Sequence, residues 1–174
     1  MKKSVAYKTA LTGILCAQAL VLSYFESLIP AFPFMPPGAK PGFSNIVNMF
    51  TAGSVGLAPA FAVCIVKAGF ALVTRGFTAG LMSLCGGAVS TAAMYLLLRY
   101  AKNRLGLIGI SVICAVCHNA GQLLAAAILT GTGGIFGYAP VLLAFSLVTG
   151  AITGVILKAV IPALEKQSKY FTRK

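Results

Sequence analysis

Residues 107–129 read LIGISVICAVCHNAGQLLAAAIL, a stretch without a single charged side chain. An uncharged apolar run of about 18 residues or more is long enough to cross a bilayer as an α-helix. Similar runs fill most of the remaining chain, which is 59% hydrophobic and only 9% charged. Soluble domains carry about 25% charged residues. The composition therefore excludes a soluble globule, a disordered chain and a small secreted disulfide-linked domain, and it indicates a multi-pass membrane protein.

The apolar runs are continuous rather than alternating, which argues against a transmembrane β-barrel and predicts an all-α integral membrane fold. Polar and turn-forming breaks leave six candidate spans at about 9–29, 43–56, 59–74, 79–98, 107–129 and 140–161. A proline-rich loop at 30–42, a basic loop at 99–104 and a glycine-rich turn at 131–134 separate some of them. We expect one transmembrane domain over 1–174, a six-transmembrane-helix bundle with short basic tails at 1–8 and 163–174.

The uncertain segment is 43–74, which could be one long span or two short ones divided near 56–59. Five spans would place the basic loop and the basic C-terminal tail on opposite sides of the membrane, against the positive-inside rule. Six spans with a cytoplasmic N-terminus place 11 of the 14 basic residues in the cytoplasm: Lys2, Lys3, Lys8, Arg99, Lys102, Arg104, Lys158, Lys166, Lys169, Arg173 and Lys174. We therefore predict six spans, both termini cytoplasmic and the 30–42 loop outside. The net charge of +12 then reflects topology and attraction to the lipid bilayer, not nucleic acid.

Ionisable residues within spans are expensive and usually face an interior cavity. Glu26 lies near the outer end of the first span, and Lys67 lies midway along the third. Glu26 could be an interfacial residue, a salt-bridge partner of Lys40 or Arg75, or a ligand contact. Lys67 lies too deep to reach water easily. It could pair with Glu26 or bond backbone carbonyls, but we favour a cation in a binding cavity.

His118 and Gln122 share one helix face with Asn119 beside them, and Asn45 and Asn48 form a similar pair after the proline loop. Such groups often join helices by hydrogen bonds, yet three in one turn favour a cavity lining. With Lys40, Lys67 and Arg75 opposing Glu26, the outer half has a formal charge of +2. We expect a small, partly apolar anionic ligand there, with Lys67 meeting the anion. The candidate ligand-binding residues are Glu26, Lys40, Asn45, Asn48, Lys67, Arg75, His118, Asn119 and Gln122.

Catalytic and cofactor patterns are weak in this sequence. Cys114 to His118 form a C-x-x-C-H haem-attachment pattern, but both thiols lie inside a continuous apolar helix. The chain has one histidine, no phosphate-binding glycine loop and no pair of carboxylates suited to acid–base work. We expect no enzyme activity, no metal and no cofactor. A membrane redox protein using Cys114, Cys117 and His118 is the least favoured alternative.

Three motifs resemble those of a known bacterial family: SYFESLIP at 23–30, PGAKPGFSNIV at 37–47 and AVCHNAGQLL at 115–124. The chain resembles the heptaprenyl diphosphate synthase component I family, also called Gx transporter proteins, over nearly its whole length. That family is similar to the S components of energy-coupling factor (ECF) transporters. Members more usually read G-x-K-L-G-L-A-N where this chain has Lys40-Pro41-Gly42-Phe43-Ser44-Asn45.

The resemblance implies a six-helix subunit that captures a small nutrient from outside, powered by a membrane coupling (T) subunit and two ATPase subunits. In S components, small residues on the first helix contact the coupling subunit, and Ala6 and Ala10 match that spacing, as do Gly13 and Ala17. The family description implies an alternative, a non-catalytic membrane subunit that assists a prenyl diphosphate synthase in quinone biosynthesis. A flavin, another vitamin, a quinone precursor or a prenyl phosphate would all fit the expected ligand chemistry.

Overall fold

The computed structural model describes residues 5–28 and 42–171, with side chains as far as residue 160. The described chain is helical: α1 (Val5–Leu28), α2 (Asn45–Ser54), α3 (Leu57–Arg75), α4 (Phe77–Tyr100), α5 (Lys102–Thr130) and α6 (Ala139–Phe171). A 3-10 helix, Gly133–Tyr138, precedes α6. Apart from Gly42, the predicted 30–42 loop lies outside the described residues, and so does Lys40.

The all-α fold is confirmed, whereas the count of six spans is not. Among the described residues, five segments are long and apolar enough to cross a membrane: α1, α3, α4, α5 and Gly133–Val160. Helix α2 has 10 residues, or about 15 Å at 1.5 Å per residue, half of a hydrocarbon core of about 30 Å. The segment 43–74 divides into two helices at Gly56, whose φ of +129° ends α2 and begins α3.

Helix α2 nevertheless carries the chain from one end of the bundle towards the other. Its start lies beside the end of α1, because the hydroxyl of Ser44, just before α2, donates a hydrogen bond to Glu26 on the last turns of α1. Near its end, a Cβ on Gly53 would lie 3.5 Å from Cδ1 of Leu98, close to the end of α4. The helices therefore alternate in direction, and the start of α1, the end of α4 and the start of α5 share one end of the bundle.

Glycines let α4, α5 and α6 pack closely. A Cβ on Gly121 of α5 would lie 2.8 Å from the Cα of Gly86 on α4. On α6, a Cβ on Gly150 or Gly154 would lie 2.6 or 2.7 Å from the Cα of Val112 or Ile108. Backbones this close are typical of membrane bundles. There, helices associate largely through van der Waals packing, and small residues let their backbones approach closely.

One predicted boundary is wrong. The basic segment 99–104 is not an open loop, because α4 continues to Tyr100 and α5 begins at Lys102, with a kink at Gly106 (φ +63°). The apolar part of α6 ends at Val160, close to the predicted end near 161, and the helix itself continues to Phe171. Lysine, arginine, glutamate and glutamine favour helices as strongly as most apolar residues, so the loss of hydropathy did not mark the end of a helix. The predicted turn at 131–134 is present, with Gly131 in the left-handed region.

Candidate functional site

A polar cavity lies between α1, α3, α4, α5 and the segment that leads into α2. Its described lining consists of Ser23, Glu26, Gly42, Ser44, Lys67, Arg75, Ala79, Ser83, His118 and Gln122. The cavity measures about 20 Å³, which is room for a single water molecule. Five of the predicted ligand-binding residues therefore meet at one place, although they are up to 96 positions apart in the sequence.

Glu26 is buried on the last turns of α1, with 6% of its surface exposed. The Oγ of Ser44 donates a 2.8 Å hydrogen bond to its Oε2. A carboxylate is costly to bury unless hydrogen bonds or opposite charges compensate it. Lys67 and Arg75 line the same cavity, so both forms of compensation are at hand.

Lys67 is buried at 7% exposure in the middle of α3. Its Nζ donates a 2.7 Å hydrogen bond to Oδ1 of Asn45, the first residue of α2. This bond ties the start of α2 to α3. The ammonium group thus has a neutral acceptor from one side and a carboxylate elsewhere in the same cavity.

His118 and Gln122 lie on the face of α5 that points towards the cavity, and their Nε2 atoms are 3.0 Å apart. In this arrangement the Oε1 of Gln122 is buried and has no hydrogen-bond partner within the described ranges. Behind them, a Cβ on Gly86 would lie 2.6 Å from the carbonyl oxygen of His118. Gly42, with φ of +86°, brings the backbone close to the same ring, since a Cβ there would lie 3.4 Å from Cδ2 of His118.

Two predicted site residues point elsewhere. Asn48 donates a 3.1 Å hydrogen bond to Oγ1 of Thr91 on α4. Asn119 donates a 2.8 Å bond to Oγ of Ser146 on α6 and lines a separate, apolar cavity of about 210 Å³ between α5 and α6. Both amides therefore join helices and are outside the described lining of the polar cavity.

Three serines of the lining were missed from the sequence: Ser23, Ser44 and Ser83. Ser23 lies three residues before Glu26 and therefore on the same face of α1. That spacing was visible in the sequence. Ser44 and Ser83 had no such signal, because isolated serines are common in membrane helices and reveal nothing about which neighbour they face.

Comparisons with known proteins agree with the motifs. The family model described as heptaprenyl diphosphate synthase component I matches residues 15–160. The chain belongs to this component I family. The matched region contains all of the described cavity lining.

The component I chain also shares its fold with a solved structure, the S component of a bacterial ECF transporter. The TM-score is 0.63 at 17% sequence identity, and the match covers 98% of this chain and 100% of the other. No curated protein sequence gives a significant match.

The small residues of α1 in this component I chain do not pack inside the bundle. Ala6, Ala10, Gly13 and Ala17 are all exposed, and a Cβ on Gly13 would meet nothing within 4 Å. By contrast, the glycines of α6 lie against α5. The stripe of small residues on α1, formed by these four positions, therefore faces away from the other helices that the structure describes.

The cysteines of the component I chain are reduced and separate from the cavity lining. Cys114 is buried and Cys117 half-buried on α5, and neither forms a disulfide. Within the described ranges, no three His, Cys, Asp or Glu side chains lie close enough together to hold a metal. The geometry adds no support to the redox alternative.

Proposed function

We propose that this protein is the substrate-binding, S component-like subunit of an ECF-type transporter. Its task is to capture a small anionic or vitamin-like metabolite from outside the cell. The observation that carries the proposal is the polar cavity itself: two cations, one carboxylate, a histidine, a glutamine and three serines gather in an apolar bundle. Buried polar groups in a membrane protein are expensive, and they commonly mark a substrate pathway.

The position of the cavity supports binding from outside. It lies at the end of the bundle where α1 finishes and α2 begins, whereas Arg99, Lys102 and Arg104 lie at the other end. If the basic end faces the cytoplasm, as the positive-inside rule favours, the cavity faces outwards. The described lining leaves about 20 Å³, so a ligand larger than a water molecule enters only when the surrounding helices shift.

In this proposal, other subunits supply the energy for transport. The exposed stripe of small residues on α1 offers a surface for a coupling (T) subunit, and two ATPase subunits would complete the transporter. The shared fold with a bacterial ECF S component supports this assignment. The protein would then be non-catalytic.

The family description favours a second candidate, a membrane subunit that assists a soluble prenyl diphosphate synthase. Co-purification separates the two. A tagged chain is extracted from its native membranes in mild detergent, its protein partners are identified, and its bound small molecules are released and analysed by mass spectrometry. We expect a membrane coupling protein, two ATPases and a small anionic ligand. Recovery of a prenyl synthase alone, with no ATPase and no ligand, would overturn the transporter proposal.

A further inference from the structure

Lys67 and Arg75 both line the cavity, and they differ in their hydrogen bonds. Lys67 already donates a 2.7 Å hydrogen bond to Asn45. Arg75, the last residue of α3, has its Nε and Nη1 atoms buried without a hydrogen-bond partner among the described residues. A guanidinium is a strong multiple donor that stays charged under all ordinary conditions. Leaving two of its nitrogens unsatisfied in a buried setting is costly, unless a ligand supplies the acceptors.

Arg75 is also the better placed of the two for an incoming group. It ends α3 at the same end of the bundle as Glu26 and Ser44, and the residue as a whole is half-buried. Lys67 lies about two turns deeper and is 7% exposed. A molecule that enters from this end therefore reaches the guanidinium before the ammonium group.

The charges of the described lining set the charge of the ligand. Lys67 and Arg75 oppose Glu26, which leaves a net charge of +1 when His118 is neutral. A ligand with a single negative charge neutralises the described lining, whereas a dianion would add an excess charge to this low-dielectric set of residues. The Gln122 amide, one of whose two polar atoms has no partner, can accept or donate one further hydrogen bond.

We propose that Arg75, rather than Lys67, binds the acid group of the ligand, and that this ligand is a small monoanion such as a monocarboxylate. Lys67 is then a positioning residue that holds Asn45 and the start of α2. This inference rests on the proposed substrate-capture function and assigns the roles within that same site. It replaces the sequence-based expectation that Lys67 contacts the anion.

The test uses the full chain in lipid nanodiscs and measures binding of benzoate, hexanoate, succinate and inorganic phosphate at constant ionic strength, with hexylammonium as the cationic control. We expect a monocarboxylate to bind more tightly than succinate or hexylammonium. Arg75→Gln should raise the Kd of that monocarboxylate about tenfold or more, since it removes charge-assisted hydrogen bonds. Arg75→Lys, which keeps the charge, should lose less. Arg99→Gln, a matched loss of an exposed arginine at the opposite end, should change nothing.

The decisive comparison is between Arg75→Gln and Lys67→Met. A larger loss of affinity in Lys67→Met would overturn the assignment, and so would tighter binding of succinate or failure of the wild-type chain to bind any of the anions. If Arg75→Gln does not fold, Arg75→Lys provides the comparison, and an unchanged Kd in that variant refutes a role for the guanidinium. Co-purification of the ATPases is independent of these results, so the transporter proposal stands or falls separately.

Discussion

The Nζ of Lys67 on α3 and the Oδ1 of Asn45 on α2 are joined by a 2.7 Å hydrogen bond. The bond connects the middle of a long apolar helix to the first residue of the shortest α-helix described. Because α2 has only 10 residues, it can bury less apolar surface than the longer helices. Lys67 therefore contributes to the geometry of the site whether or not it contacts a ligand.

A double-mutant cycle on these two residues tests that role. Asn45→Ala removes the acceptor from a buried ammonium group, and Lys67→Met leaves a buried amide oxygen without its donor. We expect each single substitution to lower the free energy of unfolding by about 1–3 kcal/mol. In the double variant the losses should be clearly less than additive, with a coupling of at least about 0.5 kcal/mol. Strictly additive losses, measured by unfolding in detergent, would mean that the bond does not contribute.

Close packing behind His118 gives a second prediction. A Cβ on Gly86 would lie 2.6 Å from the His118 carbonyl oxygen and 2.8 Å from Cγ of Gln122. Gly86→Ala should therefore push α4 and α5 apart, lower the stability by about 1–3 kcal/mol and weaken ligand binding.

Gly69 provides the matched control for Gly86. It is an exposed glycine within α3 whose Cβ would meet nothing within 4 Å. Gly69→Ala should leave binding unchanged and should raise the stability slightly, because alanine favours a helix by about 0.5–1 kcal/mol over glycine. Equal effects of the two substitutions on binding would contradict the proposed contact between α4 and the site.

The orientation of the bundle is tested by cysteine labelling. In a background without native cysteines, Lys40→Cys should react with a membrane-impermeant maleimide from outside, and Lys102→Cys only after the membrane is permeabilised. The expectation follows from the positive-inside distribution and from the two residues' places at opposite ends of the predicted topology. Labelling of both positions from the same side would refute it.

The positions of most helices could be predicted closely from the sequence, but the length of α2 and the contacts between helices could not. Apolar runs located α3, α4 and most of α5 to within a few residues, since a bilayer demands long uncharged segments. The sequence predicts that α2 spans the membrane. Its polar residues Asn48 and Thr51 do not indicate that the helix is only about half as long as a span. Hydropathy records where a segment is apolar and does not record where its backbone turns.

The sequence also could not show which polar side chains share the cavity. His118 and Asn119 are neighbours in the sequence and were assigned to one cavity. In a helix of 3.6 residues per turn, consecutive side chains differ by about 100° in direction, so His118 faces the cavity while Asn119 faces Ser146 on α6. Arg75 was recognised as a charged residue, yet only the structure distinguishes its unpaired nitrogens from the paired ammonium of Lys67.

The stripe of small residues on α1 supports the last prediction, which concerns assembly rather than ligand binding. Because Ala6, Ala10, Gly13 and Ala17 are exposed, a partner helix could approach the α1 backbone closely there, as small residues permit in membranes. Gly13→Leu should block that approach without disturbing the fold, since a Cβ at Gly13 meets nothing within 4 Å.

Gly69→Leu is the matched control for Gly13→Leu, because Gly69 is equally exposed and equally unobstructed but lies on α3. Both variants should be at least as stable as the wild type, because leucine also favours a helix over glycine, and both should retain ligand binding. Only Gly13→Leu should lose the coupling subunit and the ATPases in co-purification, because Gly13 belongs to the exposed row of small residues on α1 and Gly69 does not. If both variants retain these partners, the coupling subunit binds elsewhere. If both variants lose them, the enlarged side chain acts through the lipid environment and not through a contact on α1.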